Sequence, residues 1–132
     1  MKRILIILSI ALSFSAISCK DESKGEIKLV TPLEMQTLLE SEDVQLVDVR
    51  TPEEYKEGFI KNSQNIDFNS PTFDEDISKL DKTKPVILYC KGGGRSAKCA
   101  EKLSKAGFIK IYDLEGGITQ WKFQGWELKT RP

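Results

Sequence analysis

The chain has 132 residues, enough for one domain with a real hydrophobic core and too few for two. Lysine plus arginine and aspartate plus glutamate each number 20, so no global field draws the protein to nucleic acid or to anionic lipid. There is no histidine, which excludes cysteine-histidine proteases and acyltransferases and any histidine-ligated zinc site.

The chain opens with "MKR", a basic n-region, followed by the apolar run "ILIILSIALSF", which is too short for a membrane span, and by "SAISC". Residues 1–18 read as an export signal. The ending resembles the lipobox of bacterial lipoproteins, which implies cleavage before Cys19 and a lipid on that cysteine. It departs from the pattern at Ala16, where leucine is usual, and an ordinary secretory signal cut nearby is the alternative. "KDESKGE" is polar and without apolar periodicity, so residues 19–26 are expected to be a lipidated cysteine and a solvated tether. The acidic pair after Lys20 is similar to the tethers that send some lipoproteins to the outer surface. The expectation is an exported protein held in the bacterial cell envelope by a lipid anchor alone, on the periplasmic side or the cell surface, with one domain over 27–132.

Beyond the tether, apolar runs alternate with helical segments. "EIKLV" leads into Thr31-Pro32-Leu33-Glu34, a threonine N-cap with proline at the first helical position and glutamate at the third, predicting a helix to about Glu40. "VQLVDV" reads as a buried strand. Thr51-Pro52-Glu53-Glu54 repeats the capping logic for a short helix ending near Gly58. "QNIDF" is a short strand candidate, and "SPTFDEDISKL" a helix with Phe73, Ile77 and Leu80 on one face. "KPVILYC" is a strand, "SAKCAEKLSKA" a helix stopped by Gly107, "IKIYDL" a strand, and "GITQWKFQGW" a terminal helix or turn. This alternation predicts an α/β fold, three layers deep, with a mainly parallel central sheet flanked by helices. Phe108, Trp121 and Trp126 are expected in its core.

"YCKGGGRS", Tyr89 to Ser96, is the segment with chemistry in it. Ligands in such sheets sit beyond the carboxyl ends of the strands, which is where Cys90 falls, and Ser96 opens the next helix. Three consecutive glycines, Gly92, Gly93 and Gly94, let the backbone curl so that its N–H groups face an anion, helped by the helix N-terminus. A thiolate at Cys90 is stabilised there, and Arg95 and Lys91 add cations. Lys91 has two readings, an outward cation that attracts anionic donors or a merely solvated side chain. With Cys19 committed to lipid, Cys90 and Cys99 are too few for a thiolate metal cage, so no metal is expected. What survives is a thiolate activated by backbone and cations, facing an anionic substrate: sulfur or phosphate chemistry.

Over about Ile27 to Trp126 the chain resembles a single rhodanese domain, the sulfurtransferase family. The motifs are "LVDVRTPEEYKEGFIKNSQNI", the loop "CKGGGRSA" and "LEGGITQW", similar to the family's closing Gly-Gly-x-x-x-Trp. Phe59 departs from the family, which usually has histidine there, and the expected consequence is altered surface packing near the site. The resemblance implies that Cys90 attacks the outer sulfur of a small anionic donor such as thiosulfate and becomes a persulfide. The sulfur then passes to a thiol or cyanide acceptor. Residues 91 to 95 wrap the persulfide, Arg95 closes the ring, and Ser96 opens the helix. No cofactor is implied. Asp48 and Arg50 sit where the family's structural polar pair lies, with Glu54 a partner for Arg50.

Cysteine phosphatases of related fold carry one residue more between Cys and Arg, a wider cradle for phosphate, and a phosphatase or arsenate reductase is the alternative enzyme reading. Here only Lys91 to Gly94 intervene, which favours sulfur. A third alternative is a persulfide carrier or binding module without turnover. Cys99 reads as a small buried residue of the following helix, with a resolving thiol as the alternative. Export exposes a reactive thiol to oxidation, so a reductant or thioredoxin-like acceptor outside the cytoplasm is expected.

Overall fold

The computed structural model describes residues 24–131, and the export signal and Cys19 lie outside the described residues. Five strands form one parallel sheet, β1 (Glu26–Val30), β2 (Gln45–Asp48), β3 (Gln64–Asn65), β4 (Val86–Tyr89) and β5 (Lys110–Leu114), in the order β1-β5-β4-β2-β3. Helices α1 (Pro32–Ser41), α2 (Pro52–Glu57), α3 (Phe73–Ser78), α4 (Gly94–Lys105) and α5 (Gly117–Phe123) fill the connections. Both expected capping boxes form. Thr31 Oγ1 accepts from the Glu34 N–H while the Glu34 carboxylate accepts from the Thr31 N–H, and Thr51 and Glu54 do the same. Each such cap contributes about 1 kcal/mol and fixes where the helix starts.

Two apolar clusters cover the two faces of the sheet. On one, Val47, Val49, Val86, Leu88 and Ile111 pack against Phe73, Ile77 and Leu80 of the α3 segment and against Cys99, Ala100 and Leu103 of α4. On the other, Val30, Leu46, Ile87, Tyr89, Tyr112 and Leu114 pack against Met35, Ile118 and Trp121. The three layers expected from the sequence are these two helical layers and the sheet. Phe108 and Trp121 are buried, and Trp126 is half-buried against Trp121 with ring centroids 5.5 Å apart.

Two boundaries differ from expectation. Gly25 and Glu26, read as the end of a solvated tether, are tied down, Gly25 to α4 and Glu26 into the sheet as the first residue of β1. Gly25 N–H donates to Ser104 O, Ser104 Oγ donates to Gly25 O at 2.7 Å, and Glu26 N–H donates to Ile109 O. α4 begins at Gly94 rather than Ser96, because only Gly93 takes a left-handed conformation (φ 113°) and the chain is helical from the next residue. Among the described residues no helix is long and apolar enough to cross a membrane.

Candidate active site

β4 lies between β5 and β2, and its four buried residues deliver Cys90 to the carboxyl end of the sheet. The chain then turns through Lys91, Gly92 and Gly93 into α4. Gly93 N–H points back at Cys90 Sγ at 3.0 Å, and Ser96 Oγ lies 3.5 Å from the same sulfur. Burial alone raises the pKa of the thiol. The Ser96 hydroxyl and the N–H groups of Ser96, Gly93 and Arg95 outweigh it, so the Cys90 pKa lies below the ordinary thiol value. The loop thus turns the Gly93 N–H and the Ser96 hydroxyl toward the sulfur.

The loop is clamped from behind by the turn before α5. Ile118 N–H donates to Cys90 O at 2.9 Å and Thr119 N–H to Lys91 O at 3.1 Å. Gly117 makes this approach possible, since a Cβ there would stand 2.5 Å from the carbonyl oxygens of both Cys90 and Lys91. The "EGG" motif is thus a contact surface for the loop.

Arg95 does not hold a free charge over the sulfur. Its guanidinium makes a two-pronged pair with Glu54 of α2, at 2.7 and 2.9 Å, and the Arg95 backbone N–H is what serves Cys90. This corrects the expected Glu54–Arg50 partnership. Arg50 instead binds Asp48, with its Nη2 2.6 Å from Asp48 Oδ2 and its Nε 2.9 Å from Asp48 Oδ1, and it donates to Gly58 O at 2.7 Å. The Arg95 pair draws Glu54 down to about 2. Asp48 and Arg50 are both buried, and Arg50, bonded to both Asp48 and Gly58 O, ties the end of β2 to the end of α2.

Lys91 is exposed and lines a cleft of about 260 Å³ beside the loop, together with Arg50, Glu54, Thr119 and Lys122. Gly92 and Gly94 are exposed, with open space where a Cβ would stand. Cys99 is fully buried, and burial, followed by the nearby Asp113, pushes its thiol up to about 12. Phe59 stacks on Tyr55 with centroids 4.4 Å apart, and the Arg131 guanidinium lies over both rings. Among the described residues no group of three or more metal-ligating side chains forms.

The sequence comparison agrees with this geometry: the rhodanese-like domain model matches residues 31–124. The chain belongs to the rhodanese-like domain family. It is 35% identical to the thiosulfate sulfurtransferase GlpE of Coxiella burnetii over 95 residues, covering 72% of this chain and 87% of that protein. A tRNA uridine(34) hydroxylase of Pelagibacter ubique is 36% identical over 107 residues, covering 80% of this chain. The chain spans only 35% of that relative's length. A crystal structure of a rhodanese-related protein from Thermoplasma volcanium superposes with a TM-score of 0.71 at 30% identity, covering 79% of this chain and 99% of that one. Relatives named as sulfurtransferases support a sulfurtransferase-like enzyme, and the parallel α/β sheet flanked by helices that the alternation of elements predicted matches rhodanese-like structures.

The sequence reading missed two features of this rhodanese-like site. It did not pair Glu54 with Arg95, because the two stand 41 positions apart and nothing local links them. It left Asp113 unplaced, although an aspartate inside the apolar strand "IKIYDL" was a signal that a buried carboxylate needed a reason.

Proposed function

We propose that this protein is a sulfurtransferase that moves a sulfane sulfur through a persulfide on Cys90. The Cys90 thiolate attacks the outer sulfur of an anionic donor such as thiosulfate, the S–S bond of the donor breaks, and sulfite leaves with its electron pair. The terminal sulfur keeps one negative charge, and an acceptor thiol or cyanide takes that sulfur in the second half-reaction and returns Cys90 as thiolate. The observation that carries this reading is the loop with its Gly93 N–H 3.0 Å from Cys90 Sγ and only four residues between Cys90 and Arg95. Such a ring fits one charged sulfur rather than a phosphoryl group. Exposed Lys91, with Lys122 in the same cleft, gives an anionic donor a cationic rim to approach.

The test is mass spectrometry of the purified chain after brief exposure to thiosulfate, with Cys90→Ser and Cys99→Ser beside it. Gain of one sulfur that disappears only in Cys90→Ser is the expected result. Absence of the gain, with hydrolysis of an aryl phosphate, assigns phosphatase chemistry instead, and absence of both assigns a binding module.

We also propose that the domain works outside the cytoplasm on a lipid carried by Cys19, facing a thioredoxin-like thiol acceptor. "MKR", the apolar run and "SAISC" support this reading. It predicts a mature N-terminal peptide that begins at Cys19 and carries acyl chains. A mature chain cut elsewhere and free of lipid would overturn it.

A further inference from the structure

β1 is an edge strand of the sheet and pairs with β5 alone, so the backbone groups on its outer side meet no neighbouring strand. Ile27 and Leu29 lie opposite Ile111 and Asp113 of β5, and residues opposite each other share a face, which places both on the α4 side. Ile109, whose carbonyl accepts from the Glu26 N–H, stands beside them at the start of β5. α4 leaves these side chains uncovered, at 37%, 60% and 57% exposed for Ile27, Leu29 and Ile109. Among the described residues they are three of the five large apolar side chains that are exposed, and the other two, Leu33 and Phe123, stand on α1 and α5. A clustered apolar surface calls for an occupant where scattered single residues do not.

The path of the chain says what that occupant is. Gly25 is bonded to Ser104 of α4 in both directions, so the folded domain begins two residues before Ile27. On the reading that Cys19 carries lipid, on which this inference rests, the chain from Cys19 to Gly25 spans at most about 20 Å. A domain of this size is about 30 Å across. The strands are parallel, so Glu26 stands at the amino end of the sheet and Cys90 just beyond the carboxyl end. A lead of about 20 Å attached at the amino end is too short to pass around the domain and lay the Cys90 end on the bilayer.

We propose that the β1 edge, through Ile27, Leu29 and Ile109, rests on the phospholipid surface and turns Cys90 toward the aqueous side. The aliphatic side chains enter the boundary between headgroups and acyl chains, where the outer backbone groups of β1 remain hydrated. Exposed Lys24, Lys28, Lys82 and Lys105 reach lipid phosphates from the same segments. Glu26, Asp81 and Glu101 stand among them, so the net charge is small and the apolar side chains carry the contact. A second copy of the chain fits this edge less well: antiparallel pairing that sets Ile27 against Leu29 also sets Lys28 against its own copy, and like charges directly opposite are destabilising.

The test uses the purified mature chain, held by its own lipid in vesicles of phosphatidylethanolamine and phosphatidylglycerol that include a phospholipid with a photoreactive diazirine in its acyl chain. After illumination, lipid adducts are mapped by mass spectrometry. We expect adducts in the peptides that hold residues 24–29 and 105–110, and none at Leu33, at Phe123 or in the loop 91–96. Residues 105–110 decide, because 24–29 adjoin the anchor in any orientation. Lysine acetylation by a water-soluble ester gives a second readout on the same vesicles. In Leu29→Glu combined with Ile109→Glu, labelling of Lys28 and Lys105 relative to Lys91 and Lys122 should rise several-fold while the lipid keeps the chain on the vesicles. Adducts at Leu33, Phe123 or 91–96, no adducts at 105–110, an unchanged labelling ratio, or Lys28-to-Lys28 cross-links between two copies would each overturn the proposal, and the adduct map decides even if the double variant does not fold. A mature chain without acyl groups fails the anchor reading and this one together, whereas an acylated chain with any of those patterns fails this one alone.

Discussion

Replacing Gly117 by alanine should dislodge the reactive loop without substituting any residue of it. Gly117 has a left-handed backbone (φ 60°), in which an alanine costs about 1 kcal/mol. Its new Cβ would stand 2.5 Å from the carbonyl oxygens of Cys90 and Lys91, both backbone atoms that cannot swing aside as a side-chain tip does. Relief requires the α5 turn to move away, which breaks the Ile118–Cys90 and Thr119–Lys91 hydrogen bonds. Each contributes about 1 kcal/mol. The sum is a loss of about 3 kcal/mol, measured as the shift in unfolding free energy in urea against wild type. Gly92→Ala is the internal control, because a Cβ there meets nothing within 4 Å and its φ is not left-handed, so its change should stay within about 0.5 kcal/mol. The same variants should separate in Cys90 reactivity, since only Gly117→Ala moves the strand end that carries the sulfur. Equal stability of Gly117→Ala and wild type would show that the turn tolerates the methyl group and that the clamp is not structural.

Glu54 has its pKa lowered from 4.5 to about 2 by Arg95, so its contribution to stability is present above about pH 4.5 and is lost as pH falls toward 2. The pair is about a quarter exposed, 26% and 28%, which holds its net value to about 1 kcal/mol. Glu54→Gln should therefore lose about that much at pH 7 and flatten the acid limb of a stability-against-pH curve; an unchanged acid limb would contradict this. Asp48→Ala leaves the buried Arg50 guanidinium without its carboxylate and should cost about 3–5 kcal/mol, while Asp48→Ala combined with Arg50→Ala should recover part of that in a double-mutant cycle. Cys99, with its thiol pushed up to about 12, should resist iodoacetamide at neutral pH in the native chain and react only as the protein unfolds. Native labelling of Cys99 as fast as Cys90 would refute that.

The parts of this molecule readable from sequence are those set by short-range chemistry. Thr31 and Thr51, each followed by proline and then by glutamate at the third helical position, specify two helix starts to the residue. The apolar strand ending at Cys90 and the glycines after it specify a strand, a tight turn and a helix within eight residues of chain. Glu54 shows where that legibility stops. Its backbone role as a capping partner of Thr51 is local and was visible, while its second role, holding Arg95, depends on how α2 docks against the start of α4. Gly117 is similar: the glycine pair announces a turn, but only the docked loop explains why a methyl group is forbidden there.

The pairing of Arg95 with Glu54 changes the physical account of the site. A guanidinium free over the sulfur would lower the energy of any anion bound there, substrate and product alike, and would hold both. With that charge compensated, the thiolate is stabilised by the Ser96 hydroxyl and by the N–H groups of Gly93, Arg95 and Ser96, which are dipoles fixed by the curl of the loop. A persulfide carries its charge about 2 Å beyond Sγ, the length of one S–S bond. On the proposed sulfur-transfer reading, dipoles aimed at Sγ would also face that displaced charge, so thiolate and persulfide would be stabilised to a similar degree. A protein that both takes and releases a sulfur, as proposed for this one, would need such a near balance, because an excess on either side would make one of the two half-reactions slow. Exposed Lys91, at the rim rather than over the sulfur, adds attraction during approach without deepening the well in which the sulfur sits. Glu54→Gln separates these contributions: freeing the Arg95 charge should stabilise the persulfide and slow its discharge to an acceptor thiol, whereas a discharge rate unchanged from wild type would mean that the guanidinium charge does not reach the sulfur.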